Sequence, residues 1–240
     1  MSSCPVDLAT LIKPFTADAL MNGAMTLVGA FLGAMVAFLF QIWLQKQQEK
    51  KTALVSTHRI MFCLLQQINT LVLIQKDFIY PYLKHPVRFI SIPALHEFDI
   101  TKDLFDFSTF GFMLDSPQSR TIMYDLYLAQ ASYVEALRSL NERSVLHRQE
   151  LQPRLSTAGI GSRKAVTLEE IEKALGPLLY PVIVNSTEQT LDGMCGAFQK
   201  LLAAKIAFRA YAVSRFKSND FTDFEFPDTY GLTDDQHAIV

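Results

Sequence analysis

The run from Ala24 to Leu44 (AMTLVGAFLGAMVAFLFQIWL) carries no charged residue, and its only polar side chains are Thr26 and Gln41. A helix of this length rises about 30 Å, which matches the hydrocarbon core of a bilayer. Inside a bilayer every backbone N–H and C=O must be satisfied within the segment, so the run spans as a helix if it spans at all. The reading is a single membrane anchor over residues 19–45, preceded by a short lead over 1–18. Residues 46–218 come next as a stalk and α-helical domain, and 219–240 as an acidic, aromatic tail.

Charge on either side of the anchor sets its expected orientation. Lys13 is the only basic side chain before it, whereas Lys46, Lys50 and Lys51 come closely after it, with Arg59 further on. Excess Lys and Arg marks the cytoplasmic side, which predicts an N-terminus outside and the bulk of the chain in the cytoplasm, under the inner membrane. A cleaved signal peptide is the weaker reading, because the apolar run is long and ends in bulky Phe40, Ile42, Trp43 and Leu44 rather than at small residues. Gly29, Gly33 and Ala37 recur every four residues in the run. This spacing lets two spanning helices approach closely, so a homo-oligomer held partly by that face is expected beside the lipid bilayer itself.

No Gly or Pro interrupts the chain between Ala34 and Tyr80. The spacing of Leu54, Met61, Leu65, Ile68, Val72 and Ile79 predicts that the spanning helix runs on as a stalk into the first helix of the soluble part, ending before Pro81. Residues 87–92 have the composition of a short strand, but one strand has no visible partner. A helix is expected over 102–114 with Thr101 as its cap, then a second with Ser116 as cap and Pro117 in its first turn, running to about Leu151 and stopping before Pro153. Leu155 to Ala165, with Gly159 and Gly161, reads as a loop. Thr167 and Glu170 form a capping box for a short helix ending near Gly176, and a last long helix is expected over about 182–218. The fold class is therefore all-α: a single N-terminal transmembrane helix continuing into a cytoplasmic bundle of about four to five helices.

Composition excludes more than it assigns. The formal net charge is −2, which gives no nucleic-acid signal. Cys4, Cys63 and Cys195 are too few and scattered for a disulfide framework or a zinc site, and packing is the better reading of Cys63 and Cys195. The five histidines have no metal-ligand spacing, and neither a cofactor nor a metal is expected. Gly193 and Gly196 suggest a close helix crossing.

Three groups of residues remain as candidates. Arg143 and His147 sit at i and i+4 on one helix face, a cation and an imidazole suited to binding and cleaving a phosphodiester. The pair resembles the Arg-to-His signature of HEPN ribonucleases, which are also helical; that family places four to six residues between the two, and here three intervene. The resemblance implies a ribonuclease, and a solvated basic face is the favoured alternative. Second, Arg138, Arg148, Arg154, Arg163 and Lys164 form a basic stretch beside the Gly loop, a candidate for a small anionic ligand or for headgroups. Third, Lys205 and Arg209 lie on a basic helix over 194–217 with no acid in it. Either the basic side faces an anionic leaflet or the tail, where acids alternate with Phe221, Phe224 and Phe226, folds back on it; docking of the tail is favoured.

No grouping names a reaction. The leading expectation is a non-enzymatic membrane protein that self-associates and presents a cytoplasmic binding or sensing domain to a protein partner or small ligand. In layout alone the chain resembles membrane effectors of bacterial anti-phage systems, in which a cytoplasmic helical domain senses a signal and clustered spans then damage the membrane. That resemblance implies an antiviral role as the alternative.

Overall fold

A computed structural model describes residues 17–160, 166–221 and 223. The lead before residue 17, the loop residues Arg163 and Lys164 and the tail from Phe224 onward lie outside the described residues. The fold is all-α, with no strand among the described residues.

Helix α1 runs without interruption over Ala17–Ile74 and closes through a π-helical turn (Gln75–Ile79) and a 3-10 turn (Tyr80–Tyr82). The helical path does not stop short of Pro81. The proline takes a place in the first turn of the 3-10 segment, where its missing N–H is not needed. A short helix α2 (Arg88–Ser91) and a 3-10 segment (Phe107–Met113) lie in the connector. Helix α3 covers Pro117–Leu146, passes through a π-turn (His147–Leu151) and continues as α4 (Gln152–Thr157). Helix α5 covers Leu168–Phe216 with a break at Gly176, whose φ of 75° and ψ of 171° only glycine adopts readily.

The chain divides into two compact units, residues 1–53 and 54–240. In the first, most apolar side chains of α1 are exposed: Leu27, Phe31, Val36, Phe38 and Trp43 all stand open, Ile42 is half-buried, and Gln45 bonds Glu49 along the helix. One 18-residue window has a mean hydropathy of 2.1 with none of it buried, so α1 is long and apolar enough to cross a membrane.

The second unit has one main core and a satellite. Ile60, Leu64, Ile68 and Leu71 of α1 pack with Leu126, Tyr133 and Leu137 of α3 and with Met194, Leu201 and Phe208 of α5. The satellite gathers Phe89, Leu151, Leu155, Ile171, Leu175 and Ile183. Cys195 is buried and Cys63 half-buried, in keeping with packing. Two of the three expected caps form: Ser116 closes a capping box with Ser119, and Thr167 with Glu170.

Several local expectations change. Residues 88–91 form a helical turn instead of a strand. The helix expected over 102–114 shrinks to the 3-10 segment, capped by Asp106 through the Ser108 amide, while Thr101 is held by Asp99. Pro153 does not end a helix, because the π-turn before it realigns the backbone and Pro153 sits in the first turn of α4. The loop expected from Leu155 therefore begins only after Thr157, where α4 ends. The last long segment starts directly after Gly176, with Pro177 in its first turn. Gly193 and Gly196 mark no close crossing, since a methyl group at either would meet nothing within 4 Å.

Candidate functional site

The connector between Ile92 and Phe105 is irregular, so its backbone groups need partners from elsewhere. Helix α3 supplies them from one face. The Asn141 side chain accepts from the Phe98 amide and donates to the Phe98 carbonyl, each at 2.9 Å, as a neighbouring strand would. Ser144 accepts from the Leu95 amide at 3.2 Å, and Gln130 from the Phe105 amide.

Arg143 is the centre of this arrangement. It is 3% exposed. Its Nη2 donates to the carbonyls of Ile92 (2.7 Å) and Phe89 (3.3 Å), Nη1 to that of Pro93 (3.2 Å), and Nε to the Thr187 hydroxyl of α5 (3.2 Å). These are carbonyls of α2 and of the residues just past it, which lack intrahelical donors. No carboxylate faces the guanidinium among the described residues, and burial pulls its pKa down to about 10, so it stays charged at neutral pH. His147, one turn on, meets the Ile90 carbonyl through Nε2 at 3.2 Å, and Arg148 donates to the Leu95 carbonyl. Arg143, His147 and Arg148 are thus a capping row. The i, i+4 spacing read as a catalytic pair puts two donors on one peptide segment.

The expected solvated basic face is absent at Arg143 and His147, both of which are buried. The gap they share with Phe89, Leu146, Ile183 and Thr187 is too narrow to admit a water molecule. No phosphodiester reaches the pair in this conformation. His147 Nδ1 finds no partner among the described residues. Burial pushes the His147 pKa below the ordinary 6.5; Arg143 and Arg148 add to the push, and the Ile90 carbonyl opposes it. The unfolded chain therefore takes up a proton first as pH falls. The contribution of His147 is fully present above about pH 6.5 and is lost progressively below it. The native chain is expected to lose more thermal stability than His147→Gln when both are scanned from pH 7.5 to pH 5.

Arg138 and Arg154, the other described members of the basic stretch, do not converge. Arg138 pairs with Glu135 at 2.6 Å and Arg154 with Glu150 at 3.5 Å, both at the surface. An open groove of about 490 Å³ runs along α3, but Glu97, Glu142 and Glu150 line it beside Arg138, which disfavours an anionic occupant. An ion pair with no counterpart in local spacing, Arg88 with Glu188, ties α2 to α5 in a two-pronged contact. Among the described residues no three His, Cys, Asp or Glu side chains gather to hold a metal ion.

Lys205 and Arg209 are brought together, around the start of the tail. Asp223 meets Lys205 Nζ at 2.9 Å and Arg209 Nε at 3.2 Å, the second a charge contact outside hydrogen-bonding geometry. The Lys205 side chain is 6% exposed. Phe221 is 3% exposed, with its ring 5.1 Å from the His58 ring of α1 and 5.8 Å from that of Phe216. The fold-back expected of the tail is present at these two residues. The part played by His58 leaves no mark in the sequence, because nothing local distinguishes it from a solvent-facing helix residue.

Gly29 and Gly33 look onto open space, and a methyl at either meets nothing within 4 Å. Comparison with protein-family profiles, with curated proteins and with solved structures finds no match to this chain.

Proposed function

We propose that this chain is a single-pass protein of the inner membrane, with its N-terminus outside and the helical unit in the cytoplasm. In this reading it self-associates and acts as a non-enzymatic binding or sensing module. One observation carries the proposal: a single unbroken helix supplies both an exposed apolar stretch and, from Ile60 on, the first element of a packed core. An exposed stretch of mean hydropathy 2.1 is stable only when something other than water covers it. The basic residues Lys46, Lys50 and Lys51 directly after it favour the cytoplasmic side for the helical unit.

Two features support self-association. Gly29, Gly33 and Ala37 offer a close-approach face. In the second unit Val55 and Phe62, two helical turns apart on α1, stay 63% and 61% exposed, an a-type spacing for a parallel partner helix. A non-catalytic role agrees with the use of Arg143, His147 and Arg148 as caps and with an acid-lined groove on α3.

Fusions at the C-terminus test the topology. A reporter active only in the cytoplasm is expected to be active there, and one active only after export to be silent. The reverse pair of results overturns the orientation. Release of the native chain by alkaline carbonate overturns the anchor itself.

A further inference from the structure

The seat around Lys205 has the build of a peptide-binding site. A slot walled by the exposed His58 ring and the half-buried Phe216 ring takes an aromatic ring, and a buried ammonium with a neighbouring guanidinium takes an acid two residues further on. Arg209 is about one-third exposed and Asp223 about half, so the ion pair lies at the rim and the ring at the bottom. An aromatic anchor in a slot with a charged contact at its edge is the pattern by which short segments are recognised.

The segment that fills this seat is joined to α5 by a short hinge. The helix ends at Phe216, and Lys217 turns the chain with a left-handed backbone (φ 53°, ψ 40°). A side chain larger than glycine is strained there by about 1 kcal/mol. Ser218 and Asp220 bond one another across the turn, and Phe221 comes at once after it. Short, strained hinges favour exchange of the hinged segment between identical chains, since the same contacts form without the sharp turn. Copies anchored in one membrane also present seat and segment to each other at high effective concentration.

We propose that the seat formed by His58, Lys205, Arg209 and Phe216 binds an aromatic-x-acid peptide, and that in the membrane its occupant is the Phe221–Asp223 segment of a second copy. The tail is then a reciprocal tie between neighbours. The charge complementarity is already built into one chain: a basic helix with no acid between Met194 and Lys217, and a tail from Asn219 onward with acids and no Lys or Arg. This inference rests on the self-association proposed above.

Isotope-mixed cross-linking of the native chain tests it. Light and heavy-isotope protein is mixed in detergent, returned to lipid, and treated with a carbodiimide, which condenses the Lys205 ammonium and the Asp223 carboxylate into an amide with loss of water. Exchange predicts that light–heavy cross-linked peptides are about as abundant as the light–light and heavy–heavy pairs together. Pairs of one isotope only overturn the exchange. Phe221→Ser keeps both reacting groups and removes the ring from the slot, so it is expected to reduce the mixed pair at least tenfold, and its survival overturns the assignment of the seat. The particle mass in lipid nanodiscs separates the two readings. A multiple of the chain mass with only single-isotope pairs removes the exchange and leaves self-association standing, whereas a single-chain mass removes both.

Discussion

Arg143→Ala lowers the stability of the helical unit by about 3–5 kcal/mol, the range expected when one partner of a buried, charge-assisted network is deleted. The substitution leaves the carbonyls of Phe89, Ile92 and Pro93 without their donor and strips the Thr187 hydroxyl of the bond from Nε. For a unit of this size the loss corresponds to a fall in melting temperature of about 10 °C. Arg143→Lys keeps the charge but not the planar fork that reaches several acceptors at once, so it recovers only part of the loss. Arg143→Met separates the two components. It removes the cost of burying a charge while still orphaning the carbonyls, so it falls near alanine if capping dominates. Stability close to native for Arg143→Met, read by urea unfolding, would show that the carbonyls find other donors and that the capping account is mistaken. Hydrogen exchange localises the effect: the amides of residues 89–98 lose protection before those of Leu137 or Leu201 in the main core.

The same network explains why the site is only half legible in the sequence. Spacing reveals that Arg143 and His147 share a helix face, and it reveals nothing about what that face meets. Their partners lie in a connector whose hydrophobic pattern looks like a lone strand at 87–92. A strand without a neighbour is implausible in isolation, and the chain resolves the conflict by coiling Arg88–Ser91 into one helical turn and lending it donors from α3. Basic side chains thus read as facing solvent or substrate, because their carbonyl partners leave no trace in composition. Two of the three caps behave differently, Thr101 being the exception, since Asp106 takes its place. Ser116 with Pro117 and Thr167 with Glu170 act within one turn, so their role is readable from local spacing alone. Pro81 and Pro153 read as stops, and both instead open a new helical turn after a π-turn, a backbone irregularity without a sequence signature. The tail shows both sides. Alternating acids and Phe residues point to the docking of Phe221 and Asp223 on the basic helix, whereas His58, contributed by α1, makes a contact too distant in sequence to be inferred.

Placing two arginines in the middle of α1, as Leu32→Arg with Val36→Arg, is expected to abolish membrane retention. Leu32 and Val36 are among the exposed apolar side chains of a stretch in which no residue is charged. A single arginine at the centre of a spanning helix raises the insertion free energy by about 2.5–3.5 kcal/mol, and a helix as apolar as this one tolerates that by tilting and snorkelling. Two on successive turns raise it by about 5–7 kcal/mol, a change of about 10⁴-fold in partition between membrane and water. The double variant moves from the carbonate-resistant pellet to the soluble or aggregated fraction, while Leu32→Phe with Val36→Leu stays in the pellet. Because the core residues of the second unit begin at Ile60, the double variant keeps its cooperative unfolding transition in detergent. Retention of the double-arginine chain in the pellet would show that membrane attachment does not run through α1, and the exposed stretch of that helix would then need a different cover.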